Sequence, residues 1–412
     1  MKGFFSSEFF MGNRQRLLGT VQAGLPIVLT AHGQLQRSSD GIFPFQQDSS
    51  FWYLTGIEYP DVIVVVDGTE GYAIVPERSA SREAFDGVVD FDELKAISGL
   101  AEVMPAEAGW ERLTRRLKQT KKYATLLPNP PYIEGHGVYS NPARAALGDT
   151  LKSLVPNLKV HDIRMDVARL RMIKQAPELQ ALRQAIDITI DTLLEVAQPD
   201  VLARYQAEYE VDADIGRGFR FRGARGHAFD PIVASGKNAT ILHNVSNTVP
   251  LKKGDLLVLD VGAEYQHYAA DVTRTVAYGE PSRRQQAVQT AVLAVQEHAI
   301  ALVKPGILLK EYEQQVEKLM GEQLLKLGLI KEATKESIRR YYPHATSHFL
   351  GLDAHDAGDY SQPLPVGAVI TVEPGIYIPE EGIGVRIEDD VLITETGCDV
   401  LSGRLSKALK LG

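Results

Sequence analysis

The chain has 412 residues, 44% of them apolar, which is more than one hydrophobic core usually organises and enough for two domains. Its net charge of -9, with Lys and Arg scattered singly or in short clusters such as Arg115, Arg116, Lys118, Lys121 and Lys122, argues against a nucleic-acid partner. The one cysteine, Cys398, cannot form an internal disulfide, and the longest apolar runs are strand-sized, so a globular protein of a reducing compartment is expected, cytoplasmic by default and with no membrane contact.

Near the start, Phe4-Phe5 and Phe9-Phe10 are separated by Ser6, Ser7 and Glu8, leaving no apolar stretch of signal-peptide length. From Leu25 to about Val160, β-rich runs (Ile27 to Leu29, Val62 to Val66, Tyr72 to Val75, Tyr123 to Leu127) alternate with helical stretches such as Trp110 to Gln119, which predicts an α/β domain. Pro177 suits the first turn of a helix running to about Ala197. The boundary is expected between about 160 and 175, giving a smaller N-terminal domain over 1–165 and a second over 166–412.

In the second domain a helix is expected around Tyr205 to Phe219, then a β-rich block over about 228 to 278. Helices from about Ser282 to Val303 and from about Leu309 to Leu327 follow, then a last β block over about 345 to 400. Strands, helices and strands again predict an α+β domain, its helices packed on a curved antiparallel sheet. No low-complexity segment or short-period repeat interrupts this order.

The segment Leu256-Leu257-Val258-Leu259-Asp260, with Asp271 eleven residues beyond Asp260, reads as a hairpin. Centred between Tyr265 and Gln266, it sets Asp260 directly opposite Asp271. Side chains so opposed stand about 5 Å apart, and like charges there destabilise a sheet unless a cation neutralises them. A second hairpin, with Val369 to Pro374 as one arm and Gly384 to Asp389 as the other, centres near Glu380-Glu381 and opposes Glu373 to Glu388. Taken singly, any of these acids reads as readily as a solvated surface group. Between the hairpins, His344, His348 and His355 fall within twelve residues although the chain has ten histidines in all, and His348 would supply a nitrogen ligand. Four carboxylates and one imidazole form a hard, oxygen-rich donor set suited to two divalent ions of the manganese, cobalt or zinc type. Arg386, two residues before Glu388 on an alternating strand, is expected on the same face, to orient a carboxylate or the substrate.

These motifs resemble the pita-bread metallopeptidases, most closely the branch of aminopeptidase P and prolidase. The resemblance rests on Ser347-His348-Phe349-Leu350-Gly351-Leu352-Asp353-Ala354-His355-Asp356, Thr371-Val372-Glu373-Pro374-Gly375-Ile376-Tyr377 and Gly384-Val385-Arg386-Ile387-Glu388-Asp389-Asp390. The family's Asp, Asp, His, Glu, Glu ligand order is matched by Asp260, Asp271, His348, Glu373 and Glu388. Phe43 to Gly56 is similar to the aminopeptidase P N-terminal domain, and Ile232 to Gly236 with Ile241-Leu242-His243 matches the segment carrying an active-site histidine. Asn244 and Ala345 depart from the family pattern, which commonly has an aromatic residue and a glycine there.

The resemblance implies hydrolysis of the bond before a proline at the second position of a peptide, with hydroxide shared by two metal ions as nucleophile. Glu373 would shuttle the proton, His243 and His355 would donate to the oxyanion, and His344 with Arg386 would border the substrate. It also implies a homodimer or homotetramer. Three other readings are a dipeptidase of the same chemistry, a creatinase-like hydrolase, which dispenses with the metals, and a non-catalytic peptide-binding module; the complete ligand set argues against the last two. Trp52 and Tyr53 read as core aromatics in preference to cleft residues.

Overall fold

The computed structural model describes residues 3–68, 70–129 and 137–411, and the chain divides between Leu170 and Arg171 into two units. The first is built on β1 (Ile27–Thr30), β2 (Ile63–Asp67), β3 (Glu70–Val75), β4 (Glu102–Pro105), β5 (Lys122–Thr125) and β6 (Lys159–Asp162), bonded in the order β4-β3-β2-β1-β5-β6. β1 runs antiparallel to β2 and parallel to β5, so the sheet is mixed. Val28, Leu29, Val64 and Val65 are all buried, as in strands covered on both faces. Leu113 and Leu117 of the helix Ala106–Thr120, with Leu147 and Leu151 of Ala143–Leu154, pack on Val28, Val65 and Ile74. This is the α/β layering that the alternating pattern predicts.

The stretch Phe43 to Gly56 has a structural task in this unit. Asp48 caps the helix Ser49–Thr55 by accepting the Phe51 N–H at 2.8 Å. The Gln47 side chain accepts the His32 N–H at 2.8 Å and donates to the Ile57 and Tyr59 carbonyls. Trp52 and Tyr53 are buried, Trp52 edge-on against Phe10 with ring centroids 5.3 Å apart.

The second unit has two halves of like build. In one, Ile190 of the helix Ala176–Val196 and Val211, Ile215 and Phe219 of Glu208–Phe221 pack on Val233, Leu257, Leu259 and Val272. In the other, Val288, Val292 and Val295 of Arg283–Leu302, with Tyr312 and Val316 of Leu309–Lys326, pack on Ile370, Val372, Val385 and Val391. Helix starts follow local chemistry: Pro177 lies in the first turn of one, and Ser282 and Gln285 form a capping box at another. The helix expected from Tyr205 starts at Glu208 instead, and the Tyr205 hydroxyl bonds Asp214 at 2.5 Å.

The strands of this unit are β7 (Gly226–His227), β8 (Ile232–Ser235), β9 (Leu256–Val261), β10 (Ala263–Tyr265), β11 (Tyr268–Ala269), β12 (Val272–Ala277), β13 (Val369–Val372), β14 (Gly375–Ile378), β15 (Ile383–Arg386), β16 (Asp389–Ile393) and β17 (Cys398–Val400). The ladders described among them are antiparallel, but they form short sheets of two or three strands in place of one continuous sheet.

The first acidic hairpin turns one residue later than expected. Tyr265 pairs with Tyr268, and Gln266 and His267 form the turn with φ of 50° and 72°. Asp260 therefore faces Thr273, not Asp271. Moving the centre by one residue shifts each pairing by two, so the acids keep a common face. Gln-His carries no turn signal, and the Tyr268 hydroxyl, donating to Glu178 at 2.8 Å, anchors the register. At Gly262 an added Cβ would stand 1.7 Å from the Ala270 carbonyl oxygen, a backbone approach only glycine permits. The ladder breaks at this crossing, and Asp271 lies in the break.

In the second hairpin Val372 pairs with Asp389 and Gly375 with Arg386. Glu373 and Glu388 occupy matching positions in the gap between those two ladders, the register that the sequence predicts.

Candidate metal centre

Asp260 stays paired within β9, whereas the other three acidic candidates lie where their strands are interrupted, so their carboxylates are not committed to a flat sheet face. Asp271 follows β11, Glu373 follows β13, and Glu388 precedes β16. His348 comes from the loop before β13, where its own N–H meets the Thr371 hydroxyl at 3.2 Å. Asp271, His348 and Glu388 present ligand atoms within 4.8 Å of one another. His348 Nε2 is 3.3 Å from Glu373 Oε1 and 3.6 Å from Asp271 Oδ2. Its Nδ1 lies 3.0 Å from the Phe349 carbonyl, which places the proton on Nδ1 and leaves the Nε2 lone pair facing the acids. These groups line a cavity of about 720 Å³ together with Asp260, His243, His344, His355 and Arg386. All nine side chains singled out in the sequence thus border one cleft.

Arg386 spans the floor of that cleft. Its Nη2 donates to Asp260 Oδ2 at 2.5 Å, Nη1 to the Tyr377 hydroxyl at 2.8 Å, and Nε to Thr273 Oγ1 at 3.2 Å. Thr273 in turn donates to Glu388 Oε2 at 2.6 Å. His344 Nε2 is 2.9 Å from the Tyr377 hydroxyl, and its Nδ1 is 3.7 Å from Glu373 Oε2. The His355 ring lies against that of His348, tilted by 41° with ring centroids 4.1 Å apart.

The electrostatics are those of a site short of positive charge. Burial, compounded by the charges of Glu388 and Asp260, pushes the Asp271 carboxyl well above its ordinary range. Burial and the Glu388 charge do the same to Glu373, and burial with the Asp260 charge pushes Glu388 up to about 8. Burial lowers His344 to about 3 and His348 to about 4, and it lowers His355 as well, so these imidazoles are neutral at pH 7. Asp260 Oδ1 is buried without a hydrogen-bond partner. An unsatisfied buried carboxylate oxygen among crowded acids is what a divalent cation would satisfy, and the donor set of carboxylates and one imidazole fits such an ion.

Several contributing residues were not singled out from sequence. Asp390, fully buried, accepts the Asp271 N–H through Oδ2 at 3.2 Å, while its Oδ1 has no partner. Behind it, Asp389 accepts from Arg274 at 2.7 Å, Gln296 at 2.8 Å and Ser402 at 2.7 Å, with Lys407 at 2.9 Å. Arg274 also bonds the carbonyls of Thr273, Glu388, Leu405 and Ser406. The run Glu388-Asp389-Asp390 is a visible signal of a buried acidic cluster; Arg274 and Lys407 carry no such signal.

The model of metallopeptidase family M24 matches residues 180–395, and that of the aminopeptidase P N-terminal domain matches 10–126. The chain belongs to metallopeptidase family M24. It is 33% identical over 432 residues to the Xaa-Pro aminopeptidase of Haemophilus influenzae, covering 98% of this chain and 95% of that one. It is 36% identical over 253 residues to the Xaa-Pro dipeptidase of Pyrococcus horikoshii, covering 60% of this chain and 66% of that one. The structure of a putative aminopeptidase P from Bacillus anthracis superposes with a TM-score of 0.89 at 31% identity, over 98% of this chain and 97% of that one. This M24 protein is therefore a metallopeptidase hydrolase of the aminopeptidase P branch, with an α/β N-terminal domain ahead of an α+β, pita-bread catalytic domain. No helix among its described residues is long and apolar enough to cross a membrane.

Proposed function

We propose that this M24 enzyme is an Xaa-Pro aminopeptidase, releasing the first residue of peptides whose second residue is proline. The observation that carries the reading is the convergence of Asp260, Asp271, His348, Glu373 and Glu388 on one cavity in which Asp260 Oδ1 lacks a partner. We assign those five as ligands of two divalent cations, manganese first, with cobalt and zinc as alternatives. When bound, the cations supply Lewis acidity that makes hydroxide available from water near neutral pH.

The protein's own groups manage the proton and the substrate. The Glu373 side chain is 18% exposed, so it can meet both water and the departing group. We assign it the transfer of a proton from the attacking water to the prolyl nitrogen. That nitrogen belongs to a tertiary amide and has no hydrogen until protonated, so a donor at the leaving group is required. His243 and His355, both exposed on the cleft wall, are assigned as donors to the developing oxyanion. The neutral imidazole of His355 retains one N–H for this purpose. His344 borders the proline side of the substrate, and Arg386 orients a carboxylate or the substrate terminus.

The match to an aminopeptidase along nearly the whole chain favours this reading over a dipeptidase, for which the similarity covers 60% of the chain. Hydrolysis of Ala-Pro-Ala in preference to Ala-Pro, in a peptide panel run with Mn, Co and Zn in turn, is the expected result. Cleavage confined to Ala-Pro would mean a dipeptidase; no cleavage of either peptide by the metal-loaded protein would overturn the peptidase reading. The reading extends to a cytoplasmic homodimer or homotetramer, to be checked by cell fractionation and by mass in solution.

A further inference from the structure

The loop from Phe349 to Asp356 is closed by the Asp356 N–H, which donates to the Phe349 carbonyl at 2.8 Å. The same carbonyl receives His348 Nδ1 at 3.0 Å, so one oxygen joins the ligand histidine to the end of the loop. The two residues at that end face opposite ways: His355 lines the cleft and Asp356 is buried beneath it.

Asp356 is gripped from below. Lys174 Nζ donates to its Oδ2 at 2.8 Å, and Arg171 Nη2 bonds its Oδ1 while also reaching Asp353 Oδ2 at 2.8 Å. Lys174 Nζ donates further to the Arg171 carbonyl at 2.6 Å. The side chains of Arg171, Lys174 and Asp356 are 4%, 1% and 1% exposed. Gly351 leaves room for this ion cluster: a Cβ there would stand 2.1 Å from Asp356 Oδ2 and 2.7 Å from Lys174 Nζ. A buried ion cluster adds little net stability over apolar packing of the same shape, but its fixed hydrogen bonds hold one geometry.

We propose that Asp356, clamped by Arg171 and Lys174, is a positioning residue that holds His355 beside His348 in the orientation the reaction needs. The proposal rests on the reading of His355 as an oxyanion donor. Asp356 does not line the cleft, so it acts only through the loop it ends.

A double-mutant cycle on the metal-loaded enzyme tests this. Asp356→Asn and His355→Ala are each expected to lower kcat about 100-fold with a smaller change in KM, the size of effect a displaced catalytic group produces. The double variant should match His355→Ala to within about threefold, since nothing remains for Asp356 to position. Effects that multiply to about 10,000-fold would overturn the positioning role and leave the assignment of His355 intact. An unchanged kcat in His355→Ala alone would overturn both. If Asp356→Asn does not fold, Arg171→Lys, which keeps the charge but not the forked donor, enters the same cycle with the same criterion. Independently of activity, a crystal structure of the variant with the two rings still 4.1 Å apart and inclined by 41° would overturn the proposal.

Discussion

Arg386 and Asp260 form a buried pair, with Nη2 2.5 Å from Oδ2, and the same guanidinium reaches Tyr377 and Thr273. This leaves Asp260 Oδ1 turned away from the arginine and unpartnered. One carboxylate thus has one oxygen held by a protein cation and the other free for a metal.

The first prediction concerns that fork. A lysine at 386 is a point charge and cannot bridge Asp260, Tyr377 and Thr273 together. Arg386→Lys is expected to lower kcat/KM or metal affinity by roughly 10- to 100-fold, the usual cost of losing an outer partner of a ligand. Steady-state kinetics and metal titration check it.

The second concerns the acids when the metals are removed. Burial and the Asp260 charge raise Glu388 from 4.5 to about 8, and Asp271 and Glu373 are raised as well. A carboxyl whose folded pKa lies above its unfolded one keeps its proton in the folded chain. Its stabilising contribution is whole below about pH 4.5 and is lost as the pH rises through about 8. The chelated protein should therefore lose stability between about pH 5 and pH 8, by up to about 1.4 kcal/mol per pH unit for each such group. The Mn-loaded protein should not. Urea midpoints with and without chelator across this range decide the matter, and equal midpoints for the chelated protein at both ends would contradict it.

His243 is an exposed cleft residue, so truncating it removes little packing. His243→Ala is expected to lower kcat by about 100-fold, as for a lost oxyanion donor, with metal content per chain unchanged. Loss of metal in this variant, read by elemental analysis, would make His243 structural.

Arg274 is 1% exposed and bonds the backbone on both sides of the site. Arg274→Met takes one of the two cations from the buried Asp389 and leaves the carbonyls of Thr273, Glu388, Leu405 and Ser406 without that donor, and should destabilise the fold by about 3 to 5 kcal/mol. Adding Asp389→Leu should recover part of that loss, because apolar residues replace a buried ion pair at little net cost. Denaturant unfolding of the three proteins is the measurement.

Much of this was legible before any coordinates. The strand and helix order followed from periodicity and from caps such as Pro177 and Ser282. The pairing of Glu373 with Glu388 followed from a turn centred on Glu380-Glu381. The hairpin of Asp260 and Asp271 was displaced because Gln266-His267 adopts left-handed conformations that neither residue announces. The helices Ser7–Leu18 and Ser49–Thr55 also escaped notice.

What the sequence determined by itself was the inventory and its parity: which acids and histidines there are, and which share a strand face, since alternation along a strand is a local rule. Tertiary structure alone decided which oxygen of Asp260 stays open, how Arg274 approaches Asp389 from far along the chain, and how Arg171 and Lys174 come to lie under Asp356. Those contacts join residues more than a hundred positions apart. Their geometry comes from the packing of whole helices and ladders against one another, which no short window of residues encodes.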